Sequence, residues 1–423
     1  MSTRGARKGG ARLWSIFLAG VLSLTLLAVG AVAQGADVYH SYKIIKGGTW
    51  VRIANLKDAE GRFQARQEHS AVELNGFVYL IGGFIPAVPE PKPTEEDPEP
   101  FRYTATREIL AYIPGGHPAS GGSREGKWIS LNKASWFPRE NYHHIMSVAH
   151  RGQIWSIGGH NGIRFFPSDT VFVFTPKAAN DPNGTWAQVR VSDGRPCDPA
   201  TETCLKLPEP RAAGTAVSLG NSIYVLGGVV INYGSRDPVN ERIRTTNSVL
   251  RLDTTKFPLK WETMPRMRER REHFNAVTYR GRIWVFLGRN ELSTHMRGVE
   301  SWAPGEASWR READAPIGAS ANVLARVGDC VYSFGGEFIA SNVTGTVTES
   351  QVFHLPSRSW RLVDPTFAKQ PFDATGATSK HGTYGLTFTE NGVAKIMAPG
   401  GANLTWFSPQ SRVHVFIPPA SCR

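Results

Sequence analysis

Sustained helical periodicity is almost missing from this 423-residue sequence. Beyond the N-terminal segment few stretches repeat apolar side chains at helical spacing, which argues against helical bundles and layered α/β folds. Charged residues make up only 20% of the chain, and cysteines number four. Neither cysteine pair has the Cys-x-x-Cys spacing or neighbouring histidines of a zinc site. A glycine-rich phosphate loop, a nucleophile elbow and a nucleic-acid module are also missing. The motifs therefore lead us to expect no metal, no cofactor and no nucleic-acid partner. What is abundant is glycine (43), proline (28) and tryptophan (12). That mixture favours many short strands joined by tight turns, on a chain long enough to bury a large core.

Acidic residues are also missing from the opening "MSTRGARKGGAR", which carries Arg4, Arg7, Lys8 and Arg12. An apolar run from Leu13 to Ala33 follows and ends in "AVA". This is the layout of a secretory signal peptide, and we read residues 1–34 as one, cut near Ala33–Gln34. The run also approaches the roughly 20 residues of a membrane span, so an uncleaved signal anchor is the alternative, and membrane contact is expected only in that case. Without those four basic residues the formal charge falls from +12 to +8. The expected location is secreted or extracytoplasmic.

Four cysteines suit an oxidising compartment. Cys197 and Cys204 flank "DPATET" at loop-closing distance and are expected to be bridged. Cys330 and Cys422 are either a second bridge or, for Cys330, a buried thiol. Sequons at Asn183, Asn342 and Asn403 agree with export.

Internal repeats decide the fold. "HSAVELNGFVYLIGG" (69–83) matches "HIMSVAHRGQIWSIGG" (144–159) and "GTAVSLGNSIYVLGG" (214–228). Further copies are "FNAVTYRGRIWVFLGR" (274–289), "SANVLARVGDCVYSFGG" (320–336) and "GTYGLTFTENGVAKIMAPGG" (382–401). Each reads as a β-hairpin: an alternating strand, a two-residue turn and a second strand ending in Gly-Gly. All but the last are followed by a third strand and a fourth bearing Trp128, Trp186, Trp261, Trp309 or Trp360. The sixth copy lacks its tryptophan strand, and the chain supplies one at its other end in "GGTWVRIANL" (47–56). We expect the strand around Trp50 to complete the last unit and close a ring, which removes an open sheet edge.

An apolar hairpin ending in Gly-Gly and followed by a tryptophan strand resembles the kelch-repeat β-propellers, over Gly47 to Pro418. The resemblance implies an all-β, six-bladed propeller in one domain, residues 47–423. The fourth copy departs, reading "FLGRN" with Arg289 where we place the second glycine.

In such a ring the loops before first strands and after second strands share one face, and the long insertions lie there. They include the acidic, proline-rich "PAVPEPKPTEEDPEPF" (86–101). Basic side chains gather in the lead-ins: Arg66 and His69, Arg139 with His143 and His144, Arg211, and Arg271 with His273. Kelch-type adaptors hold acidic peptides with arginines near such positions. The resemblance thus makes these eight residues candidates for an anion-attracting mouth. The alternative is architectural, with each arginine bridging Glu68, Glu140 or Glu272 beside it. The expected function is a binding module for a protein segment or glycan, with an acidic ligand favoured. A carbohydrate-active enzyme is the second reading. A sialic acid mutarotase-like site would need only an acid/base and an arginine. A galactose oxidase-like site would use Tyr142 and His143, or Tyr39 and His40, on copper.

Overall fold

A computed structural model describes residues 44–45, 47–87, 103–162, 165–234, 243–291, 295–340, 343–347, 349–363, 380–402 and 409–422. The N-terminal segment 1–34 read as a signal, residues 88–101 of the proline-rich insert, Tyr39, His40, Asn342 and Asn403 lie outside them. Residues Ile45–Arg423 form a compact unit.

The unit is an all-β propeller whose described helices are three short 3-10 turns. Six antiparallel hairpins appear where the repeats fall: 70–81, 146–157, 215–226, 275–286, 323–334 and 386–399. Three of the second strands, Phe77–Ile81, Ser222–Leu226 and Cys330–Phe334, are buried at every residue. Strands covered on both faces read as continuous apolar runs, which is how "FVYLI" and "SIYVL" differ from half-exposed strands. The core is accordingly a set of clusters between neighbouring sheets. One of them joins Phe77, Tyr79 and Ile81 of the first hairpin to Ile154, Phe172 and Phe174 of the second unit.

Five hairpins carry their third and fourth strands in sheets of their own, one fewer than the six like sheets expected. The second hairpin belongs to a ten-stranded sheet instead. The cause is its long third strand, Phe166–Ala178, which overshoots the hairpin. The overshoot pairs with Lys206–Ala212, through Ser168 with Arg211 and Thr170 with Lys206.

The N-terminal strand Thr49–Ile53 pairs antiparallel with Val413–Ile417, Trp50 opposite Phe416, and so completes the last sheet. Trp50 is buried there, edge-on to Phe334 at 4.8 Å. Three of the other fourth-strand tryptophans stitch neighbouring sheets by a repeated bond. The Trp186 indole donates to Ser135 O (3.0 Å), Trp309 to Pro265 O (2.8 Å) and Trp360 to Ala313 O (2.9 Å). Each acceptor follows the fourth strand of the preceding unit.

Both cysteine pairs are disulfides, Cys197–Cys204 and Cys330–Cys422. The second ties the hairpin strand Cys330–Phe334 to the last described residue.

Candidate functional site: the polar mouth of the channel

Two circuits of backbone hydrogen bonds define one end of the central channel. In the inner one, His144 N donates to Glu68 O, Ala213 N to His144 O, and His273 N to Ala213 O. Ala321 N then donates to His273 O, Gly382 N to Ala321 O, and Glu68 N back to Gly382 O, all at 2.6–3.1 Å. One residue from each hairpin lead-in thus makes a closed belt. All six have left-handed backbones, with φ between 48° and 61°. The turn costs a non-glycine residue free energy, and the belt bonds offset it.

The outer circuit explains Gly-Gly. The second glycine of each exit donates to the next unit's lead-in: Gly83 to Tyr142 O, Gly159 to Arg211 O, Gly228 to Arg271 O, Gly288 to Ala319 O, Gly336 to Lys380 O, and Gly401 to Arg66 O. A Cβ on the preceding glycine would strike those same carbonyls, at 2.2 Å from Arg211 O for Gly158. The fourth unit is therefore registered differently from the sequence expectation. Gly288 is the second glycine, Leu287 takes the first place with φ 62°, and Arg289 is the residue after the pair.

That register also relocates the arginines. Arg66, Arg211 and Arg271 are fully buried, and they clamp the ends of their own hairpins. Arg66 donates to Leu80 O (3.2 Å) and Glu108 O (3.0 Å). Arg211 donates to Gly227 O and Ser248 O, and Arg271 to Leu287 O (2.6 Å) and Gly298 O (3.0 Å). Lys380 does the same in the sixth unit, to Ala398 O and Arg412 O. Burial pulls Arg66 and Arg211 down to about 10, and Lys380 well below the usual range. These are architectural groups, as the alternative reading had it, but their main partners are carbonyls of the hairpin exit and the third-strand segment. In the second unit their place belongs to Tyr142, whose hydroxyl lies 3.0 Å from Ser168 Oγ. Arg139 is exposed in the loop ahead of it, so the four do not form one rim. His69 is buried behind the belt, where burial and then Arg66 hold it well below its ordinary pKa.

Three of the eight candidates do converge: His143, His144 and His273. Glu68 joins them, its Oε2 3.1 Å from His144 Nε2 and 3.6 Å from His273 Nε2. Glu68 and His273 face each other across the belt, so they meet at the axis. Gly382 makes the room, since a Cβ there would lie 2.6 Å from Glu68 Oε1. The other ring nitrogens are held from behind. His273 Nδ1 bonds the Glu272 carboxylate, and His144 Nδ1 meets His143 Nδ1. Arg289 grips Glu272 on one side and Glu337 on the other.

Electrostatics sort the members. Burial opposes charge on His273, but the Glu272 carboxylate outweighs it and holds the imidazole up at about 9. Burial likewise opposes ionisation of Glu272, while Arg289 and His273 bring it down to about 2. Glu68 is lowered against its own burial by His273. His144 and His160 are kept well below the usual histidine range by burial and neighbouring imidazoles, and His143 is lowered to about 4, chiefly by burial. Among the described residues the mouth mixes three carboxylates with one guanidinium and one imidazolium, and the buried arginines do not form the expected anion-attracting rim.

Sequence reasoning missed Glu68 as a site residue, along with His160 and Glu337. The usable signal was position. Glu68, His144, Ala213 and His273 share one offset before the hairpin turn and differ in type. Tyr142 and His143 are turned to Ser168 and to Gly162 O, not to a common metal point. Asn183 keeps its amide on Asp181 Oδ1 (3.0 Å) while its carbonyl accepts from Asn132 N.

No family model matches the sequence. The chain is 22% identical over 410 residues to Kelch-like protein terF of Aspergillus terreus, covering 94% of this chain and 74% of that protein. It is 26% identical over 168 residues to human Kelch-like protein 38, and 29% identical over 127 residues to Kelch domain-containing protein 3 of Rattus norvegicus. These two matches span 27% and 33% of the relatives' own length.

Proposed function

We propose that this chain, which belongs to the kelch-repeat β-propellers, is a binding module that takes a protein segment at the belt end of its channel. The six hairpins would then be six blades of one closed ring, with the ten-stranded sheet containing the second. The observation that carries the reading is the contrast between the two faces. On the hairpin-turn face the turns are two-residue, as at Asn75–Gly76 and Arg280–Gly281. The opposite face holds the charged mouth and, among the described residues, three exposed aromatic side chains, Phe63, Phe166 and Tyr233, in lead-in or exit segments. Exposed aromatics beside a polar centre suit a protein partner, because they supply contact area at low entropic cost. With three carboxylates against two cations in the mouth, the segment it favours presents donors, such as hydroxyl, amide or ammonium groups. Acidic segments and glycans are the less favoured ligands. Export is part of the proposal, and the two disulfides support it.

The test is a peptide library selected on the folded protein, with the enriched peptides then measured against Phe166→Ala, Tyr233→Ala and Phe257→Ala. Phe257 is as exposed as Phe166 but lies in the connection between a third and a fourth strand, on the other face. At least one of the first two variants is expected to weaken binding tenfold or more, and Phe257→Ala to leave it unchanged. Peptides lost only with Phe257→Ala, or no enrichment at all, would overturn the assignment.

A further inference from the structure

The sequence offers no metal motif, but the belt builds a metal-binding geometry from three units. We propose that Glu68, His144 and His273 bind a divalent transition-metal ion on the channel axis. Glu68 Oε2, His144 Nε2 and His273 Nε2 all lie within 4.8 Å of one another. Ligands about 2.0–2.2 Å from a zinc-like ion sit roughly 3–4 Å apart, so the ion fits with small side-chain adjustments. The three residues are at least nine-tenths buried. Although Glu68 Oε2 is so close to both imidazoles, it has no partner in hydrogen-bond geometry.

The surroundings have the form such a site needs. An imidazole that binds a metal through one nitrogen is normally oriented by a hydrogen bond at the other. His273 has the Glu272 carboxylate at Nδ1 and His144 has His143 there, so both present Nε2 to the ion, which displaces the Nε2 proton of the His273 imidazolium on binding. Glu272 is itself fixed by Arg289, whose other end holds Glu337. The belt sets the directions. Glu68, His144 and His273 occupy left-handed positions with φ 54°, 52° and 48°, and the remaining members, Ala213, Ala321 and Gly382, are small. Three ligands leave further coordination positions for water or a ligand's donor atom. Two imidazoles and one carboxylate select borderline ions such as Zn2+ or Co2+ over Ca2+ and Mg2+, which prefer all-oxygen shells.

This proposal stands apart from the protein-segment reading, because neither Phe166 nor Tyr233 enters it. The experiment is calorimetric titration of the metal-stripped protein with Zn2+, with Ca2+ as the comparison. Wild type is expected to bind one Zn2+ at micromolar affinity or tighter and to ignore Ca2+. Glu68→Gln, His144→Gln and His273→Gln should each weaken Zn2+ at least a hundredfold, while His354→Gln, which removes a histidine elsewhere, should not. Near-ultraviolet circular dichroism checks that each variant is folded. Should the variants not fold, X-ray absorption of the Co2+-loaded wild type decides, with two imidazoles and one carboxylate expected in the shell. Zn2+ binding that survives in folded variants, a wild-type affinity no better than that of surface histidines, or a different ligand set would overturn the assignment.

Discussion

Replacing Arg271 by alanine should cripple the fold before it touches any binding. The guanidinium is fully buried and makes four contacts: Leu287 O at 2.6 Å, Gly298 O at 3.0 Å, Glu269 Oε2 at 2.9 Å and Glu300 Oε1 at 2.7 Å. Glu269 is partly exposed and can turn to water, whereas Glu300 is buried and cannot. After the change Glu300 keeps only the Arg268 and Glu269 backbone N–H groups, at 2.6 and 3.2 Å. Breaking a buried charge pair from one side costs about 3–5 kcal/mol, and most of that is the carboxylate left behind. The two carbonyls add to the loss, so about 5 kcal/mol is expected in a urea titration followed by tryptophan fluorescence. Arg271→Met combined with Glu300→Gln removes both charges and should recover about 2 kcal/mol of it. A loss under about 1 kcal/mol for Arg271→Ala, or equal losses for the single and double variants, would refute the clamp.

Deleting residues 47–53 removes the partner of Val413–Ile417 and should abolish a single cooperative melt, so an unchanged melting curve would contradict ring closure. Loop-closure entropy makes Cys330–Cys422, 92 residues apart, worth about 4.6 kcal/mol against about 2.4 kcal/mol for Cys197–Cys204, 7 apart. Cys422→Ala should therefore shift the urea midpoint more than Cys204→Ala, and the reverse order would reject that account. His150 bridges Ser218 Oγ and Thr254 Oγ1, both at 2.8 Å, and burial lowers it to about 4. Its contribution is complete above the unfolded value near 6.5 and is lost as pH falls toward 4, by about 2 kcal/mol after discounting for partial solvation. His150→Gln should flatten the stability difference between pH 7 and pH 4.5, and an unflattened difference would count against the bridge.

The hairpins, the closing strand and the tryptophan positions were legible because they rest on local rules: alternation, turn residues and the need to cover an edge. The Cys197–Cys204 pair was legible for the same reason, being seven residues long in sequence. What was misread shows the limit. Arg66, Arg211 and Arg271 recur at one register, and the sequence reading took that recurrence as a shared binding role. Recurrence marked a shared structural task, since each hairpin exit has carbonyls to satisfy. The site lies where the register varies, at Glu68, His144, Ala213, His273, Ala321 and Gly382. Nothing in their separation along the chain says that opposite members of a ring meet at its axis. The Arg289 register failed for a smaller reason. Leu287 tolerates a left-handed backbone that elsewhere in the ring is glycine's, so counting glycines shifted the fourth exit by one residue.

Mechanically, the inner circuit of backbone bonds is a hoop. Every member donates in the same rotational sense, so the hoop has no free end from which it could fray, and widening it stretches all six bonds at once. Beneath it lies a cavity of about 140 Å³ lined by Ser70, Ser147, Thr215, Asn275 and Tyr384 among others. Such a volume holds several waters. With Glu68, His144 and His273 meeting at the axis, the aperture is plugged by side chains as well as bounded by backbone. The propeller is thus a stoppered funnel and not a pipe. A bulky ligand must rest on the rim, and the space below it is no larger than a small molecule.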